Sequence, residues 1–459
     1  MRRERLTRAV LAVFAWAVLT PAVAVAQEPV TGAGGSSGAW IDAWTGSAQG
    51  VYPVGYSVAQ PGPPGPAGPG NTAPLLTAAF PDNQARDQTL RLIVHPSVAG
   101  TSWRIRLTNE FGTRPVTFGR AYAGLQSGGG NVAAGTNRAL TFAGRRSVTV
   151  PAGRTVLSDP VSVPVTDALS QHLAVSLHVA GASGPMTWHA AGFTTSYLSG
   201  QNTGDHTADL ADTAFPYSTT SWFFVSEVQV RVRHRGATVV AFGDSITDGF
   251  FATLNGDDRW PDVLQRRLDQ ARPADRRISV TTEAIGGNMV TRIGRTPGGC
   301  TPCDGPPALD RLDRDILDRP GVRAVILLEG INDLGGGGAT AEQVITGYRE
   351  IVRRVHARGI KIIGATLTPS AGTEFGLYGT AETDARRRAV NDFIRTSGLF
   401  DGVADFAAVT EDPARPGHLR PEFDTNSTVG GPGDHLHPNR AGFLAMAGAV
   451  DVAQLRRFG

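Results

Sequence analysis

The chain has 459 residues, of which 43 are Lys or Arg and 41 are Asp or Glu, so its formal net charge is only +2. This balance excludes the strongly basic surface that nucleic-acid binding requires, and we expect no nucleic-acid partner. With 41% hydrophobic and 18% charged residues, the composition is typical of a folded globular protein and not of a disordered chain.

The first 26 residues have the pattern of a secretory signal peptide. Four Arg residues precede an apolar run from Ala9 to Thr20, and Ala24-Val25-Ala26 is a small-residue cleavage site. The run is shorter than the roughly 20 residues of a membrane span, although an uncleaved anchor is the alternative. We therefore expect residues 1–26 to be removed and the protein to be secreted, without stable membrane insertion. Cleavage would remove four Arg and one Glu, which takes the net charge from +2 to −1.

Residues 27–87 form a Gly/Pro-rich N-terminal segment. A Gly/Ser-rich stretch runs from Thr31 to Gly38, and the segment from Pro53 to Pro81 contains a dense Pro-Gly run. No Gly-X-Y repeat is sustained there, so the pattern indicates a loop or linker and not collagen.

Residues 88–235 are predicted to form an all-β domain. Apolar and polar residues alternate with the period of half-buried strands, and Gly, Pro, Asn, Asp or Ser bound each stretch. The predicted strands are Leu90 to Val94, Trp103 to Leu107, Arg146 to Val150, Leu173 to Val179, Met186 to Ala190 and Trp222 to Val232. Many short strands at this spacing favour an antiparallel sandwich or a jelly roll.

The pattern changes near residue 235, and residues 236–459 are predicted to form an α/β domain. Continuous apolar strands alternate with amphipathic helices, which is typical of a mostly parallel sheet covered on both faces. The predicted strands are Thr238 to Phe242, Arg323 to Leu328 and Lys361 to Leu367, and the predicted helices are Trp260 to Leu268, Ala341 to His356, Glu382 to Arg395 and Ala441 to Leu455.

The candidate nucleophile is Ser245. It follows the strand Thr238 to Phe242 within Gly243-Asp244-Ser245, and functional groups of α/β sheets gather where strands end. The tripeptide alone is a weak signal, since a plain turn with Ser245 capping a helix has the same residues.

The C-terminal part supplies a base and a carboxylate for such a serine. A serine nucleophile needs an imidazole to take its proton and a carboxylate to orient that imidazole. Asp434 and His437 provide both within one turn, and His435 is the competing base. Between these ends, Gly287 and Asn332 offer a backbone N–H and a side-chain amide for a developing oxyanion.

Four sequence blocks, which contain Ser245, Gly287, Asn332 and His437, occur in this order. Together they resemble the SGNH subgroup of the GDSL hydrolases over about residues 237 to 459. The resemblance implies a three-layer α/β/α fold and ester hydrolysis through an acyl-enzyme, without a cofactor. It places the catalytic triad on Ser245, His437 and Asp434, and the oxyanion hole on the Ser245 N–H, Gly287 and Asn332.

The sequence departs from the family pattern at three places. Ile246 replaces the usual Leu after the serine, and Thr282 stands where Asn is frequent, which leaves Gly286 as an alternative to Gly287. Glu329 opens the third block, where it is interpreted as a buried, paired structural acid, with a substrate contact as the alternative.

The two cysteines, Cys300 and Cys303, are the whole cysteine content of the chain. In a secreted protein this spacing favours a local disulfide that closes a loop. A redox-active motif is the alternative, but the surrounding sequence lacks the strand and helix that such motifs need.

The substrate is predicted to be a small-molecule or polysaccharide ester, with an acetyl-type ester of a carbohydrate favoured. The layout of a β domain before an SGNH domain resembles that of some carbohydrate esterases. Five tryptophans are candidates for sugar stacking, although aromatic residues in strands more often form core: Trp40, Trp44, Trp103, Trp188 and Trp222. A lipase or arylesterase and an acyltransferase are the alternatives.

Overall fold

The computed structural model describes residues 38–53, 78–232, 236–271, 277–291 and 305–458. The predicted signal peptide, the Pro-Gly run after Pro53, and both Cys300 and Cys303 lie outside these residues. The β and α/β regions below, residues 38–232 and 236–458, belong to one compact unit that begins at Gly38.

The β region contains sixteen described strands, and its all-β character agrees with the sequence prediction. They are β1 (Ala39–Thr45), β2 (Gly50–Val51), β3 (Arg86–Val94), β4 (Gly100–Thr108), β5 (Val116–Gly128), β6 (Asn131–Val132), β7 (Arg138–Ala139), β8 (Val148–Val150), β9 (Thr155–Leu157), β10 (Val161–Val165), β11 (Leu173–Ala182), β12 (Thr187–His189), β13 (Ser196–Leu198), β14 (Tyr217–Thr219), β15 (Trp222–Phe223) and β16 (Val225–Val232). The predicted start at residue 88 is too late, because β1 and β2 lie within residues 27–87 and pair with strands of this region.

Two antiparallel sheets of this region share one apolar core and form a sandwich. One has the order β1-β16-β4-β10, the other has the order β14-β13-β3-β11-β5-β6, and β15-β12-β2 form a small third sheet. Alternate residues of β3, β4, β10 and β11 meet in the core. The predicted strand from Trp222 to Val232 is wrong in its continuity, because Phe224 has φ 59° and divides it between two sheets.

Most of the tryptophans of this region are core residues. Trp44, Trp103, Trp188 and Trp222 are buried. Trp40 is partly exposed and lies under the guanidinium of Arg104, 4.0 Å from its ring centre. Four of the five candidates for sugar stacking are therefore unavailable to a ligand.

The α/β region has five parallel strands in the order β18-β17-β19-β20-β21. They are β17 (Gly236–Gly243), β18 (Arg277–Ala284), β19 (Val322–Leu328), β20 (Lys361–Ala365) and β21 (Gly402–Ala404). β17, β19 and β20 are mostly apolar because helices cover the sheet, whereas the edge strand β18 is richer in polar residues. β18 and β21 are additional to the predicted strands.

Nine described α-helices accompany this sheet. They are α1 (Ser245–Asp248), α2 (Trp260–Gln270), α3 (Ala308–Leu312), α4 (Ile331–Gly335), α5 (Ala341–Ala357), α6 (Ala381–Thr396), α7 (Phe406–Thr410), α8 (Arg440–Gly448) and α9 (Val452–Phe458). Helix α8 packs on α2 and α7, and α5 packs on α3 and α6. Together with the sheet they form the three-layer α/β/α architecture. No described helix is long and apolar enough to span a membrane.

Side-chain caps decide where several helices begin. Thr340 accepts a hydrogen bond from the Gln343 N–H, and the Gln343 side chain accepts one from the Thr340 N–H, which is a capping box at the start of α5. The prediction of one helix from Ala441 to Leu455 is wrong, since α8 ends at Gly448. The Asp451 carboxylate then accepts the N–H groups of Ala453 and Gln454 and starts α9.

The β region covers the exposed edge of the parallel sheet. β18 is an edge strand, and β1 lies against it. The Thr45 hydroxyl donates to the Thr282 carbonyl at 3.0 Å, and the Ser279 hydroxyl donates to the Asp42 carbonyl at 2.5 Å. Covering an edge strand removes a template for intermolecular pairing, and here it also couples the two regions.

Candidate active site

Ser245 lies at the carboxyl end of β17, where the strand turns sharply into α1. The Asp244 carboxylate caps the helix by accepting the Ile246 N–H at 3.0 Å, and Ser245 is the first helical residue. Gly243 makes the turn feasible, because a Cβ there would overlap the Leu328 carbonyl and the Thr247 side chain. The strand end therefore presents the Ser245 hydroxyl at the edge of the sheet.

His437 and Asp434 reach Ser245 from the loop before α8. The Ser245 Oγ lies 2.8 Å from His437 Nε2, and His437 Nδ1 lies 2.5 Å from Asp434 Oδ2. Asp434 Oδ1 also accepts the N–H groups of Leu436 and His437, at 3.0 and 2.8 Å, which fixes the carboxylate. An Nδ1–H donated to Asp434 leaves the Nε2 lone pair directed at the serine hydroxyl.

The local charges keep Asp434 ionised. Burial alone raises the pKa of this carboxyl, but the His437 ring and the backbone N–H groups lower the pKa below its usual range. The competing base, His435, is placed elsewhere. It is exposed, has φ 61° and pairs with Asp424, so its ring serves another part of the loop.

Two phenylalanines that sequence reasoning missed flank the imidazole. Phe250 stacks on the His437 ring at 5.2 Å between centroids, and Phe251 meets it edge-on at 5.9 Å. Phe193 of the β region packs against Phe250 at 5.8 Å. The β region thus contributes indirectly to the position of His437.

The predicted oxyanion glycine lies in a turn after β18. The Asn288 N–H donates to the Ile285 carbonyl at 3.0 Å, and Gly287 has φ 78°, a conformation that favours glycine. Gly286 is required for a different reason, because a Cβ there would lie 2.8 Å from the Phe250 ring. Within the described residues, no acceptor is bonded to the Gly287 N–H.

Asn332 joins this turn from the end of β19. Its Nδ2 donates to the Asn288 carbonyl at 2.8 Å, and its Oδ1 accepts from the Tyr378 hydroxyl at 2.8 Å. These two contacts fix which end of the amide is the donor. Because Nδ2 carries two hydrogens, one remains available after the bond to Asn288.

A buried arginine ties the ends of the strands together beneath the site. Arg311 donates to the Gly243 and Glu283 carbonyls and to the Asn288 Oδ1, each at 2.9 Å. Its guanidinium also pairs with Asp315 at 3.0 Å. Arg311 therefore fixes the nucleophile strand and the Gly287 turn relative to each other.

Glu329 is the buried, paired acid that the sequence interpretation favoured. Its carboxyl lies 3.5 Å from the Arg311 guanidinium, and its backbone carbonyl accepts from the Tyr348 hydroxyl. Burial, together with the nearby Asp244 carboxyl, raises the pKa of Glu329 well above its usual range. Burial likewise raises the pKa of Asp244 to about 7.

This arrangement defines a serine hydrolase: a serine, an imidazole and a carboxylate are bonded in series at the end of a parallel strand. Residues 241–445 match the GDSL-like Lipase/Acylhydrolase family. The match lies within the α/β region, and the chain is a serine ester hydrolase.

Several solved structures resemble the chain. The aryl esterase of M. smegmatis is 19% identical, with 49% of this chain and 100% of that chain covered and a TM-score of 0.34. The lipase/acylhydrolase from Enterococcus faecalis is 16% identical, with 48% and 96% covered and a TM-score of 0.34. A family two carbohydrate esterase from Cellvibrio japonicus is 12% identical, with 82% and 90% covered and a TM-score of 0.35. None of the curated proteins matches this chain.

Proposed function

We propose that Ser245 is the nucleophile of an esterase, with His437 as general base and Asp434 as the residue that orients it. The observation that carries this proposal is the chain of short contacts from Ser245 Oγ to His437 Nε2 and from His437 Nδ1 to Asp434. Their burial in a narrow site also favours catalysis, since electrostatic interactions are stronger where water is excluded.

The reaction proceeds in two halves. His437 Nε2 takes the proton of the Ser245 hydroxyl while Oγ attacks the ester carbonyl, and the imidazolium then protonates the leaving alcohol. A water molecule attacks the resulting acyl-serine with His437 again as base. Collapse of the second tetrahedral intermediate releases the acid and restores the serine.

The oxyanion is proposed to bind the N–H groups of Ser245 and Gly287 and the Asn332 amide. The second Nδ2 hydrogen of Asn332 supports this role, as does the Gly287 N–H, which is bonded to no acceptor among the described residues. Such donors are arranged before the reaction and meet the charge only as it develops.

The substrate is proposed to be a short-chain, acetyl-type ester such as an O-acetylated carbohydrate, and the enzyme is proposed to be secreted. Ser245 is only 5% exposed and His437 only 8%, so little room surrounds the reacting atoms. Phe250 and Phe251 further narrow the space beside the imidazole. A small acyl group suits this opening better than a long chain.

One observation favours the alternative of a longer-chain or aryl ester. Phe375 and Leu377 are exposed on the loop of Tyr378, and Val429 is exposed on the loop of Asp434. Exposed apolar side chains on loops that supply site residues are suited to bind an apolar part of a substrate.

A chain-length series of nitrophenyl esters, measured beside acetate release from acetylated xylan, separates these substrates. Highest kcat/KM for the acetyl ester together with release from xylan supports the carbohydrate proposal. A maximum at long acyl chains contradicts it and leaves ester hydrolysis intact.

Ser245→Ala tests the mechanism itself, because removal of a triad member lowers kcat by several orders of magnitude. Full esterase activity in this variant would refute the assignment of the nucleophile.

A further inference from the structure

A second cluster of ligating side chains lies at the junction of the two regions, away from Ser245. His95 follows β3 and His172 precedes β11, and these neighbouring antiparallel strands pair at Val94 and Leu173. Asp257 comes from the α/β region, in the loop between α1 and α2. The donor atoms of the three side chains all lie within 4.8 Å of one another.

The distances suit ligands of one metal ion. His95 Nδ1 lies 3.3 Å from Asp257 Oδ1, and His172 Nε2 lies 2.8 Å from Asp257 Oδ2. Two ligands bonded to a tetrahedral zinc ion at about 2.0–2.1 Å lie about 3.3–3.4 Å apart. The first pair already has this separation. The second pair uses the other carboxylate oxygen and is about half an ångström too close, so the His172 ring or the carboxylate must shift for the three side chains to share one ion.

The hydrogen bond on the far side of His95 sets its ring for metal binding. His95 Nε2 lies 2.6 Å from the Ala168 carbonyl and donates to it. A neutral ring then has its lone pair on Nδ1, which faces a carboxylate oxygen. Either a proton on Nδ1 or a metal ion fills the gap between these two atoms, and 3.3 Å is longer than an ordinary N–H···O hydrogen bond. Metal-bound histidines characteristically donate their other N–H to a carbonyl or carboxylate in this way.

The backbone of Asp257 is also fixed in position. It has φ 44°, and the Arg266 side chain donates to its backbone carbonyl at 2.6 Å. Of the nearby arginines, Arg259 pairs with Asp262 at 2.8 Å, whereas the Arg266 guanidinium contacts the Asp257 backbone. The Asp257 carboxylate supplies the negative charge of the cluster itself.

The donor set selects the kind of ion. Two imidazoles and one carboxylate suit a transition-metal ion such as Zn²⁺, whereas Mg²⁺ and Ca²⁺ prefer sites composed of oxygen ligands. Three protein ligands leave a fourth tetrahedral position for water.

We propose that His95, His172 and Asp257 bind one Zn²⁺ ion that links the β region to the loop between α1 and α2. The same loop carries Phe250 and Phe251, which contact His437. The ion thus joins the sandwich to the segment that flanks the catalytic imidazole, and its role is structural.

The test is calorimetric titration of chelator-treated, tag-free, full-length protein with ZnCl2. We expect one ion per chain, a higher Tm with zinc than without it, and no comparable effect of MgCl2. In His172→Gln we expect zinc affinity to fall at least 10-fold, since loss of a ligand costs at least as much as the 10-fold to 100-fold loss of an outer-shell partner.

The matched control is His178→Gln. His178 belongs to β11 and also lies 2.8 Å from a carboxylate, Asp87, but it has no second imidazole beside it. This variant should keep the wild-type affinity. Equal zinc affinity in wild type and His172→Gln, or no binding by wild type, overturns the proposal.

A cobalt measurement decides the matter should His172→Gln fail to fold. Wild-type protein loaded with Co²⁺ should show the intense visible absorption of a tetrahedral site, and Asp257→Asn should lose it. The absence of such a band from wild type, or its persistence in Asp257→Asn, overturns the proposal.

Discussion

Replacing Tyr378 by Phe removes the hydroxyl that orients the Asn332 amide and leaves the aromatic ring in place. The hydroxyl donates to Asn332 Oδ1 at 2.8 Å, and the ring packs on Gly335 and Gly336. A neutral hydrogen bond of this kind contributes about 1 kcal/mol, with a range of about 0.5 to 1.5. If loss of this hydrogen bond destabilises the transition state by the same amount, kcat falls about fivefold.

The expected loss is much smaller than that of the donor itself. Asn332→Ala removes an oxyanion ligand and should lower kcat about 100-fold to 1,000-fold. KM should change little in Tyr378→Phe, because the amide contacts the oxyanion only as charge develops. The assay is steady-state hydrolysis of nitrophenyl acetate, with Tyr122→Phe in β5 as a control for the loss of a remote hydroxyl.

A double-mutant cycle distinguishes positioning from a general structural effect. If Tyr378 acts through Asn332, then Tyr378→Phe has no further effect on kcat in the Asn332→Ala background. The same fivefold loss in both backgrounds, or no loss in the wild-type background, would refute the reasoning.

Three further substitutions probe the site. Asp434→Asn should lower kcat about 10⁴-fold without changing the fold, since an amide favours the wrong His437 tautomer. Circular dichroism checks the fold, and a decrease in kcat of less than 10-fold contradicts the role of Asp434. Gly286→Ala places a Cβ 2.8 Å from the Phe250 ring. This overlap should lower the free energy of unfolding by about 1–3 kcal/mol and should also lower kcat. Unchanged urea unfolding and unchanged kcat would contradict this packing. Burial raises the pKa of Asp244 to about 7, so the folded state retains a proton that the unfolded state loses above about pH 4. The contribution of Asp244 to stability is therefore greatest below about pH 4 and falls by on the order of 4 kcal/mol up to about pH 7. Asp244→Asn should remove this component from the pH dependence of the urea-unfolding free energy, and an unchanged pH profile would show that Asp244 does not cause it.

Local sequence patterns predicted much of the fold. The apolar run before Gly243 and the amphipathic stretch after Thr340 have the periods of a buried strand and a helix, and both form as predicted. The sequence missed β1 because its buried polar residues, such as Asp42, conceal the alternation. It also joined α8 to α9, since the cap at Asp451 interrupts a run that remains apolar on both sides.

The sequence by itself was enough to predict the proposed reacting groups of this protein. Ser245 follows a strand, and His437 lies three positions after Asp434, so one turn carries both the carboxylate and the base. Tertiary structure alone decided what positions them. Tyr378 reaches Asn332 over 46 residues, and Phe193 reaches Phe250 from the other region. Such contacts leave no periodic or local signal in the sequence, because they depend on how distant segments pack. The cluster of His95, His172 and Asp257 is invisible in the sequence for the same reason.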